Sequence, residues 1–325
     1  MPRRFEDVHS PVVTVIVPGY DVGPYAAEAL ESLRAQTLTD WVAILVDDAS
    51  NDETGALFDA AAASDDRFHV VHHRERGGLS AARNTGLDLV RTPLLGFLDA
   101  DDRFTPHALE RLVGTVLGSG SDVALGAYVR LRPEADGRYV AGSVQPWVAA
   151  ATDPARTGTT LDAHPEASGN IVAWSKVSRT ELWRRTGLRF PVGKAYEDQI
   201  VAQQLYTRAR AFDVIPDVVV EWRERADGSS ITQHKGELPV MRDYLEALAG
   251  GIAVLDAAGQ TRAAAARVRL ILTMDLPPLV DLARDHADPA YRRELGAFVR
   301  TLWARADGVQ LAEPAATAVT AAQLW

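Results

Sequence analysis

The sequence predicts an α/β fold: a mostly parallel central sheet flanked by helices, followed by a C-terminal helical region. Across residues 11–102, short apolar runs alternate with stretches of helical periodicity, a pattern typical of parallel strands buried on both faces. Three of these runs end directly in polar, Asp-containing segments. Because right-handed crossovers bring the carboxyl ends of parallel strands to one edge of a sheet, we expect these segments to form a ligand site there.

The elements of this half follow from turn and cap signals. Residues 12–17 form a β-branched run that Pro18 closes, and the pair Gly77-Gly78 interrupts the chain before Ser80, a favourable N-cap. In order, the predicted elements are strand 12–17, helix 26–33, strand 41–46, helix 52–63, strand 68–71, helix 81–90 and strand 94–98.

Beyond residue 102 the pattern is mixed. The predicted elements are a helix near 106–117, a strand at 121–132, a loop-rich segment at 133–165, a helical stretch holding Trp174, Leu182 and Trp183, a helix at 196–206 and a strand at 218–222. From about residue 237, Ala and Leu recur at helical spacing, which predicts a three-helix appendage with a frayed segment at 313–317. We therefore divide the chain into residues 1–235 and 236–325.

Composition narrows the function classes. The 325 residues include 44 acidic and 34 basic ones, a net charge of −10, which argues against a nucleic-acid binder because such proteins need a basic face. The chain has no cysteine, so disulfides, thiolate catalysis and Cys-ligated zinc are excluded. It shows no apolar signal core, and no window approaches the roughly 18 apolar residues of a transmembrane helix. We expect a cytoplasmic protein and leave peripheral association with the inner membrane surface open.

Three carboxylates follow the apolar run 94–98: Asp99, Asp101 and Asp102. Like charges this close repel one another unless a cation joins them, and Asp oxygens are hard ligands suited to Mg²⁺ or Mn²⁺. Such an ion keeps coordination positions open, and phosphate oxygens fill them well. Two interpretations are open: a metal–diphosphate site at the end of the strand, or a solvated turn before the next helix.

Four ordered sequence blocks resemble glycosyltransferase family 2, which has the GT-A fold. The blocks are Val-Ile-Val-Pro-Gly-Tyr-Asp at 15–21, Ile-Leu-Val-Asp-Asp-Ala-Ser-Asn-Asp at 44–52, Gly-Gly-Leu-Ser-Ala-Ala-Arg-Asn-Thr-Gly at 77–86 and Leu-Asp-Ala-Asp-Asp at 98–102, which matches the DxD metal motif. The resemblance covers about residues 11–235. It implies a GT-A catalytic domain at 1–235, with a nucleotide-binding half at about 11–102 and an acceptor-binding half at about 103–235. Asp21 departs from the family, which commonly has Asn there.

The resemblance implies a nucleotide pocket at the strand ends. Pro18 and Tyr20 lie just past the first strand, where the tyrosine ring would stack on a base or pack under a loop. Asp48 would accept the N3–H of uracil, which favours uridine over cytidine. Arg83 is implied to contact the uridine or the diphosphate, with a surface salt bridge as the alternative. Asp99 is implied to bind the ribose.

The resemblance also implies a metal site and a lid. Asp101 would coordinate Mg²⁺ or Mn²⁺ directly, Asp99 would touch the same ion, and His234 is a further candidate ligand. A segment rich in hydrogen-bond donors follows the predicted strand 218–222, and in related enzymes a segment here closes over the diphosphate. The donors assigned to the nucleotide in this segment are Arg225, Ser229 and Ser230.

Asp198 is the candidate catalytic base. The segment Tyr196-Glu197-Asp198-Gln199 resembles the family's ED block, in which Asp198 matches the base that takes the proton of the acceptor hydroxyl. The neighbouring carboxylate of Glu197 and partial desolvation would raise the pKa of Asp198 toward the working pH. Capping of the helix that follows is the alternative role for both carboxylates, because anions are stabilised at a helix N-terminus.

These observations lead to one leading hypothesis and two alternatives. We expect a metal-dependent inverting glycosyltransferase that moves a hexosyl or N-acetylhexosaminyl group from a UDP-sugar to the hydroxyl of a glycan, polymer or small-molecule acceptor, in cell-surface polysaccharide or glycoconjugate synthesis. One alternative is a sugar-1-phosphate nucleotidyltransferase, which would need basic residues that the turn at 18–24 lacks. The other is a non-catalytic nucleotide-sugar-binding protein. Three roles are open for the C-terminal helices: acceptor binding, homo-oligomer formation and membrane docking, the last being the weakest because residues 237–325 carry no strong Lys/Arg stripe.

Overall fold

The computed structural model describes residues 11–226, 228, 234–306 and 308–325. Within these residues, helices flank a ten-stranded mixed sheet, and a further group of helices follows the last strand. This architecture confirms the predicted α/β class and the C-terminal helical region. Ser229 and Ser230, both assigned to the lid, lie outside the described residues.

The sheet gathers strands from most of the first 223 residues. Its strands are β1 (Val13–Gly19), β2 (Trp41–Asp47), β3 (Phe68–His72), β4 (Leu94–Phe97), β5 (Arg103–Phe104), β6 (Val123–Pro133), β7 (Tyr139–Ala141), β8 (Arg156–Thr159), β9 (Lys176–Arg179) and β10 (Phe212–Arg223). Along the sheet they follow the order β3-β2-β1-β4-β9-β6-β10-β5, with β7 beside β6 and β8 beside β10. β1 pairs in parallel with β2 and β4, and β2 pairs in parallel with β3, so these four strands end at one edge.

The helices cover the sheet and build the C-terminal region. Those described are α1 (Gly23–Arg34), α2 (Thr54–Ser64), α3 (Leu79–Leu89), α4 (Ala108–Ser119), α5 (Pro146–Thr152), α6 (Thr180–Thr186), α7 (Asp198–Arg208), α8 (Leu238–Ala257), α9 (Thr261–Leu270), α10 (Leu276–Arg284), α11 (Pro289–Trp303) and α12 (Ala315–Gln323). None of the helices in the described part of the chain is long and apolar enough to cross a membrane.

The first half matches the predicted order of elements. All residues of β1 are buried, which explains why this strand has a continuous apolar pattern rather than an alternating one. α3 packs so closely on β1 that a Cβ added at Gly86 would clash with Ile16. This close approach brings the helix that carries Arg83 directly against the sheet.

The second half of the sheet differs from the prediction around Trp174. Trp174 is buried ahead of strand β9, outside the helix predicted for it, and only Leu182 and Trp183 lie on α6. β9 pairs antiparallel with both β4 and β6. Pairing with strands that are distant in sequence therefore outweighs the local helical periodicity.

The C-terminal region holds five helices among the described residues, where three were predicted. They enclose a second apolar core that includes Leu248 and Leu295, and residues 271–275 form a π-helical turn between α9 and α10. The prediction that residues 313–317 are frayed is wrong from Ala315 onward. Helix α12 begins at Ala315, and one of its faces is buried in this core.

Candidate active site

The carboxyl ends of β1, β2 and β4 bring their polar segments together, as predicted. The amide of Asp48 donates to the carbonyl of Gly19 over 2.9 Å, and the amide of Ala100 donates to the carbonyl of Pro18 over 3.3 Å. These bonds place Pro18 and Gly19 between the segments that carry Asp48 and Asp99. Pro18, Asp48 and Asp99 therefore share one edge of the sheet.

Tyr20 presents a partly exposed ring at this edge. The guanidinium carbon of Arg76 lies 3.8 Å from the centroid of that ring. The neighbouring Asp21, which departs from the family pattern, accepts a hydrogen bond from the amide of Asn51 (2.8 Å) and donates its own amide to Ser50 Oγ (3.1 Å). The acidic side chain at position 21 thus holds the turn after β2 against the turn after β1.

Asp48 is the acceptor that joins β2 to the start of α3. Its carboxylate accepts hydrogen bonds from the amides of Gly77 (2.8 Å) and Gly78 (2.7 Å), and His73 Nδ1 lies 2.7 Å from Oδ1. The side chain of Asp48 is 2% exposed. Because an ionised carboxylate offers about four acceptor sites, these three contacts leave room for one further donor.

Arg83 connects the end of β4 to the segment before α7. It is 1% exposed; Nη2 donates to Asp99 Oδ1 over 2.7 Å, and Nη1 donates to Glu197 Oε1. Burial alone would lower the pKa of Arg83, but the charges of Asp99, Glu197 and Asp198 outweigh it and raise that pKa above its ordinary value. The alternative of a surface salt bridge is wrong, since the ion pairs of Arg83 are buried.

The carboxylates of the DxD segment lie close enough to repel one another. Asp101 Oδ2 accepts a hydrogen bond from Arg225 Nε over 2.8 Å, yet burial and the charge of Asp99 still raise the pKa of Asp101. Burial and both neighbouring carboxylates raise the pKa of Asp102 well above its ordinary value. Asp102 Oδ1 accepts the amide of Arg223 (2.7 Å), while Oδ2 is buried with no hydrogen-bond partner.

This donor set fits a divalent cation bound together with a ligand. Three mutually repelling carboxylates favour a positive ion, and oxygen donors suit Mg²⁺ and Mn²⁺. Among the described residues, no group of three or more Asp, Glu or His side chains forms a ready-made metal cage. An incomplete protein site of this kind matches Mg²⁺ chemistry, in which one or two carboxylates act together with substrate phosphates.

The end of β10 and the residues that follow it contribute unequally to the site. Arg225 contacts the site through its hydrogen bond to Asp101. Arg223 is buried; its Nε donates to the carbonyl of Asp101 (2.8 Å), and its Nη2 donates to Glu28 Oε2 (2.7 Å). His234 lies apart, exposed, with Nδ1 3.0 Å from Glu237 Oε1. The structure does not bring His234 into one metal-binding group with Asp99 and Asp101.

Asp198 is the first residue of α7 and is half-buried. Tyr196, two residues earlier, has a positive φ of 59°, a left-handed conformation that few non-glycine residues adopt. Burial raises the pKa of Asp198 to about 7, and the charge of Glu197 adds to the rise, while Arg83 opposes it. Within the described residues, the Asp198 carboxylate has no hydrogen-bond partner, so it is available to an incoming hydroxyl.

Two buried charges near Asp198 were not anticipated from the sequence. Lys176 of β9 lines the same small cavity as Asp198. Arg267 of α9 donates to Gln199 Oε1 over 3.0 Å and lies 3.3 Å from Asp275 Oδ2. Lys176 lies between Ser175 and Val177, and Arg267 lies between Ala266 and Val268. Cations with such neighbours are also common on protein surfaces, so the local sequence does not identify either residue as buried.

Comparisons with known proteins agree on one family. A model of glycosyl transferase family 2 matches residues 14–175. EpsJ of Bacillus subtilis strain 168, described as an uncharacterized glycosyltransferase, is 31% identical over 241 residues, which cover 73% of this chain and 67% of EpsJ. Glycosyltransferase GlyG of Streptococcus pneumoniae serotype 4 is 28% identical over 240 residues, covering 73% of this chain and 78% of GlyG.

A solved structure shares the fold. The crystal structure of S. aureus TarS 1–349 in complex with UDP-GlcNAc superposes with a TM-score of 0.70 at 20% identity, covering 89% of this chain and 81% of the other. At this level of identity the likeness concerns the fold, and it extends over the C-terminal helices as well as the sheet.

Proposed function

Since this chain belongs to glycosyltransferase family 2 and has the GT-A fold, we propose that it transfers a hexosyl or N-acetylhexosaminyl group from a UDP-sugar to an acceptor hydroxyl, with inversion at the anomeric carbon. The observation that carries this proposal is the Asp198 carboxylate. It has no hydrogen-bond partner within the described residues, and it directly follows Glu197, which Arg83 joins to Asp99. A base that is free to accept a proton thus lies next to the expected donor site.

In the proposed reaction, the acceptor hydroxyl gives its proton to Asp198 while its oxygen forms a bond to the anomeric carbon. The bond between that carbon and the diphosphate oxygen breaks, and its electron pair leaves with UDP. Arg83 holds Glu197 and Asp99 together, which keeps the base and the donor in a constant relative position. Asp99 and Asp101 would hold Mg²⁺ or Mn²⁺, which when bound would neutralise charge on the leaving diphosphate.

Two features support a uridine nucleotide as the donor. The structural neighbour TarS has been crystallised with UDP-GlcNAc. In this chain, Tyr20 offers a flat ring at the strand end, and Asp48 keeps one acceptor position that suits the N3–H of uracil. Cytidine has no proton at N3, so the same position would favour uridine over cytidine.

An aromatic cluster near Asp198 supports a glycan acceptor. The ring centroids of Tyr128 and Trp174 lie 4.8 Å apart, and those of Trp174 and Trp222 lie 6.4 Å apart. Burial raises the pKa of Tyr128 to about 12, and the charge of Asp198 contributes to this rise, so Tyr128 lies within electrostatic range of the base. Trp222 is only partly buried, and large aromatic rings of this kind pack well against apolar faces. This acceptor is consistent with cell-surface polysaccharide or glycoconjugate synthesis.

The test is a screen of UDP-sugars by UDP release with Mn²⁺ and candidate glycans, comparing the wild type with Asp198→Asn. We expect Asp198→Asn to lower kcat at least about a hundredfold, since general base catalysis contributes roughly that much. Donor affinity should survive, because the substitution removes only a proton acceptor.

Asp285→Asn is the matched control, because Asp285 is exposed at the end of α10 and should keep wild-type turnover. Normal turnover in Asp198→Asn would contradict the assignment of the base. Tight UDP-sugar binding by the wild type without transfer to any acceptor would favour the non-catalytic alternative instead.

A further inference from the structure

A small cavity lies between β9 and α7, and the candidate base Asp198 lines it. Its volume is about 20 Å³, enough for about one water molecule. Most of its wall is apolar and includes Phe97, Val201 and Leu205. Among the described residues that line it, only two have ionisable side chains: Lys176 from β9 and Asp198 from α7. Lys176 and Asp198 therefore share one small, largely apolar cavity.

Lys176 is a buried cation without a carboxylate partner in hydrogen-bond contact among the described residues. Its side chain is 4% exposed, and Nζ donates to Asn170 Oδ1 (2.7 Å) and to the carbonyl of Val172 (2.5 Å). Nζ also lies 5.6 Å from the centroid of the Tyr206 ring. A protonated lysine has three N–H donors, so two neutral acceptors neither use all of them nor compensate the charge.

Lys176 differs from the other charged groups around Asp198 in the described residues, because no other carboxylate neutralises it. Glu197 precedes Asp198 on the chain, Asp99 approaches from the end of β4, and Arg83 approaches from α3. Arg83 is already paired with two carboxylates, Glu197 and Asp99. Tyr128 and Tyr196 also face Asp198, and burial keeps both phenols neutral by raising their pKa values. Lys176 is thus the one cation among these described neighbours that no other carboxylate neutralises.

We propose that Lys176 is the counter-charge of the base: in the reactive enzyme the proton of the pair resides on Lys176, and Asp198 is ionised and able to accept the proton of the acceptor hydroxyl. This role rests on the proposed function and adds a positioning residue that acts through Asp198 without touching the substrate. Opposite charges that line one small, largely apolar cavity interact more strongly than they would at the surface.

The protonation behaviour of the two groups agrees with this pairing. Burial lowers the pKa of Lys176 to about 7, and the charge of Asp198 opposes that shift. Burial raises the pKa of Asp198 to about 7, and Lys176 is among the groups that oppose that rise. Each group therefore stabilises the charged form of the other.

The experiment measures the pH dependence of kcat/KM for the wild type, Lys176→Met, Lys176→Arg and Asn170→Ala. We expect the acid limb of the pH profile of Lys176→Met to move upward by about one pH unit. A nearby opposite charge shifts the pKa of a carboxylate by about one to three units, and we take the lower end of that range. Its rate at pH 7 would then fall up to about tenfold and approach that of the wild type at alkaline pH.

Asn170→Ala is the control for a merely structural role, because it removes an anchor of Lys176 and leaves the charge. It should keep the wild-type acid limb. Lys176→Arg, with a cation that stays charged throughout, should keep both the wild-type acid limb and the wild-type rate at alkaline pH. The proposal is overturned if Lys176→Met loses activity equally at every pH, or if Lys176→Arg behaves like Lys176→Met.

A second measurement separates this inference from the proposed function and does not need catalysis. The carboxyl carbon of Asp198 can be titrated by NMR, with Asp198→Asn as the assignment standard. A higher midpoint in Lys176→Met than in the wild type supports the pairing even if no UDP-sugar is consumed; an unchanged midpoint rejects it. Should Lys176→Met fail to fold, a lower or equal midpoint in Lys176→Arg supports the pairing, and a higher one rejects it.

Discussion

At the scale of single residues, the site depends on buried charges that satisfy one another. Arg83 binds Asp99 and Glu197 through its two terminal nitrogens. Removing one partner from such a group leaves an uncompensated buried charge. The carboxylate of Asp198 differs from these because nothing in the described residues donates a hydrogen bond to it, so its ionised form is maintained at a cost to stability.

This cost predicts a pH-dependent gain in stability for Asp198→Asn. The pKa of Asp198 is raised from 3.8 to about 7 in the folded protein. Protonated Asp198 therefore stabilises the folded state below about pH 4, and this contribution is lost as the pH rises through 7. The melting temperature of Asp198→Asn, relative to the wild type, should be higher at pH 8 than at pH 5.

Thermal melts of both proteins at the two pH values provide the measurement. Asp285→Asn, which changes an exposed carboxylate, should show no such difference between pH 5 and pH 8. A relative melting temperature of Asp198→Asn that falls from pH 5 to pH 8 would mean that the folded protein favours the ionised carboxylate.

At the scale of elements, a buried network of hydrogen bonds and one ion pair connects the start of α7 to the C-terminal helices. Arg267 of α9 is 2% exposed and donates to Gln199, the residue after Asp198. It also pairs with Asp275 in the π-helical turn, and the Tyr244 hydroxyl of α8 donates to the other oxygen of Asp275 over 2.5 Å. The start of α7 is therefore connected to three elements of the C-terminal region.

We expect Arg267→Met to lower the free energy of unfolding by about 3 kcal/mol, because it leaves Asp275 buried without its cation. Arg269→Met on the same helix is the matched control, since Arg269 is exposed and its loss should cost no more than about 0.5 kcal/mol. Urea denaturation of the two variants measures the difference. Equal stabilities would mean that the network around Asp275 contributes nothing net.

At the scale of the whole molecule, an acidic chain has to bind an acidic ligand. The net charge is −10, and the donor edge adds Asp99, Asp101 and Asp102 to the region where the diphosphate is expected. Arginines at this edge are largely paired, because Arg83 and Arg225 both contact carboxylates of the site. A divalent cation is the simplest source of the missing positive charge.

UDP affinity should therefore depend on a divalent cation. We expect calorimetry to show binding at least about tenfold tighter with Mn²⁺ than with a chelator, a difference of about 1.4 kcal/mol. Uridine, which lacks the diphosphate, is the matched ligand control and should bind equally under both conditions. Identical UDP affinities with and without Mn²⁺ would argue against a metal–diphosphate site at Asp99 and Asp101.

The sequence by itself determined the features that depend on local patterns. Continuous apolar runs and the helices between them fixed the order from β1 to β4, since burial on both faces requires that pattern. The four blocks located the carboxyl edge, and the ED block at 196–199 pointed to Asp198. Family membership is confirmed by the comparisons. The individual roles of Asp48, Asp101 and His234 stay predictions.

Only the tertiary structure decided which distant residues meet. β9 is a strand because β4 and β6 accept it, and α12 is ordered because the core of the C-terminal helices covers it. Arg83 reaches Glu197, 114 positions away, and Lys176 faces Asp198 across a cavity that no local pattern encodes. Buried charges are stable only next to suitable partners, and the packing of separate elements supplies those partners.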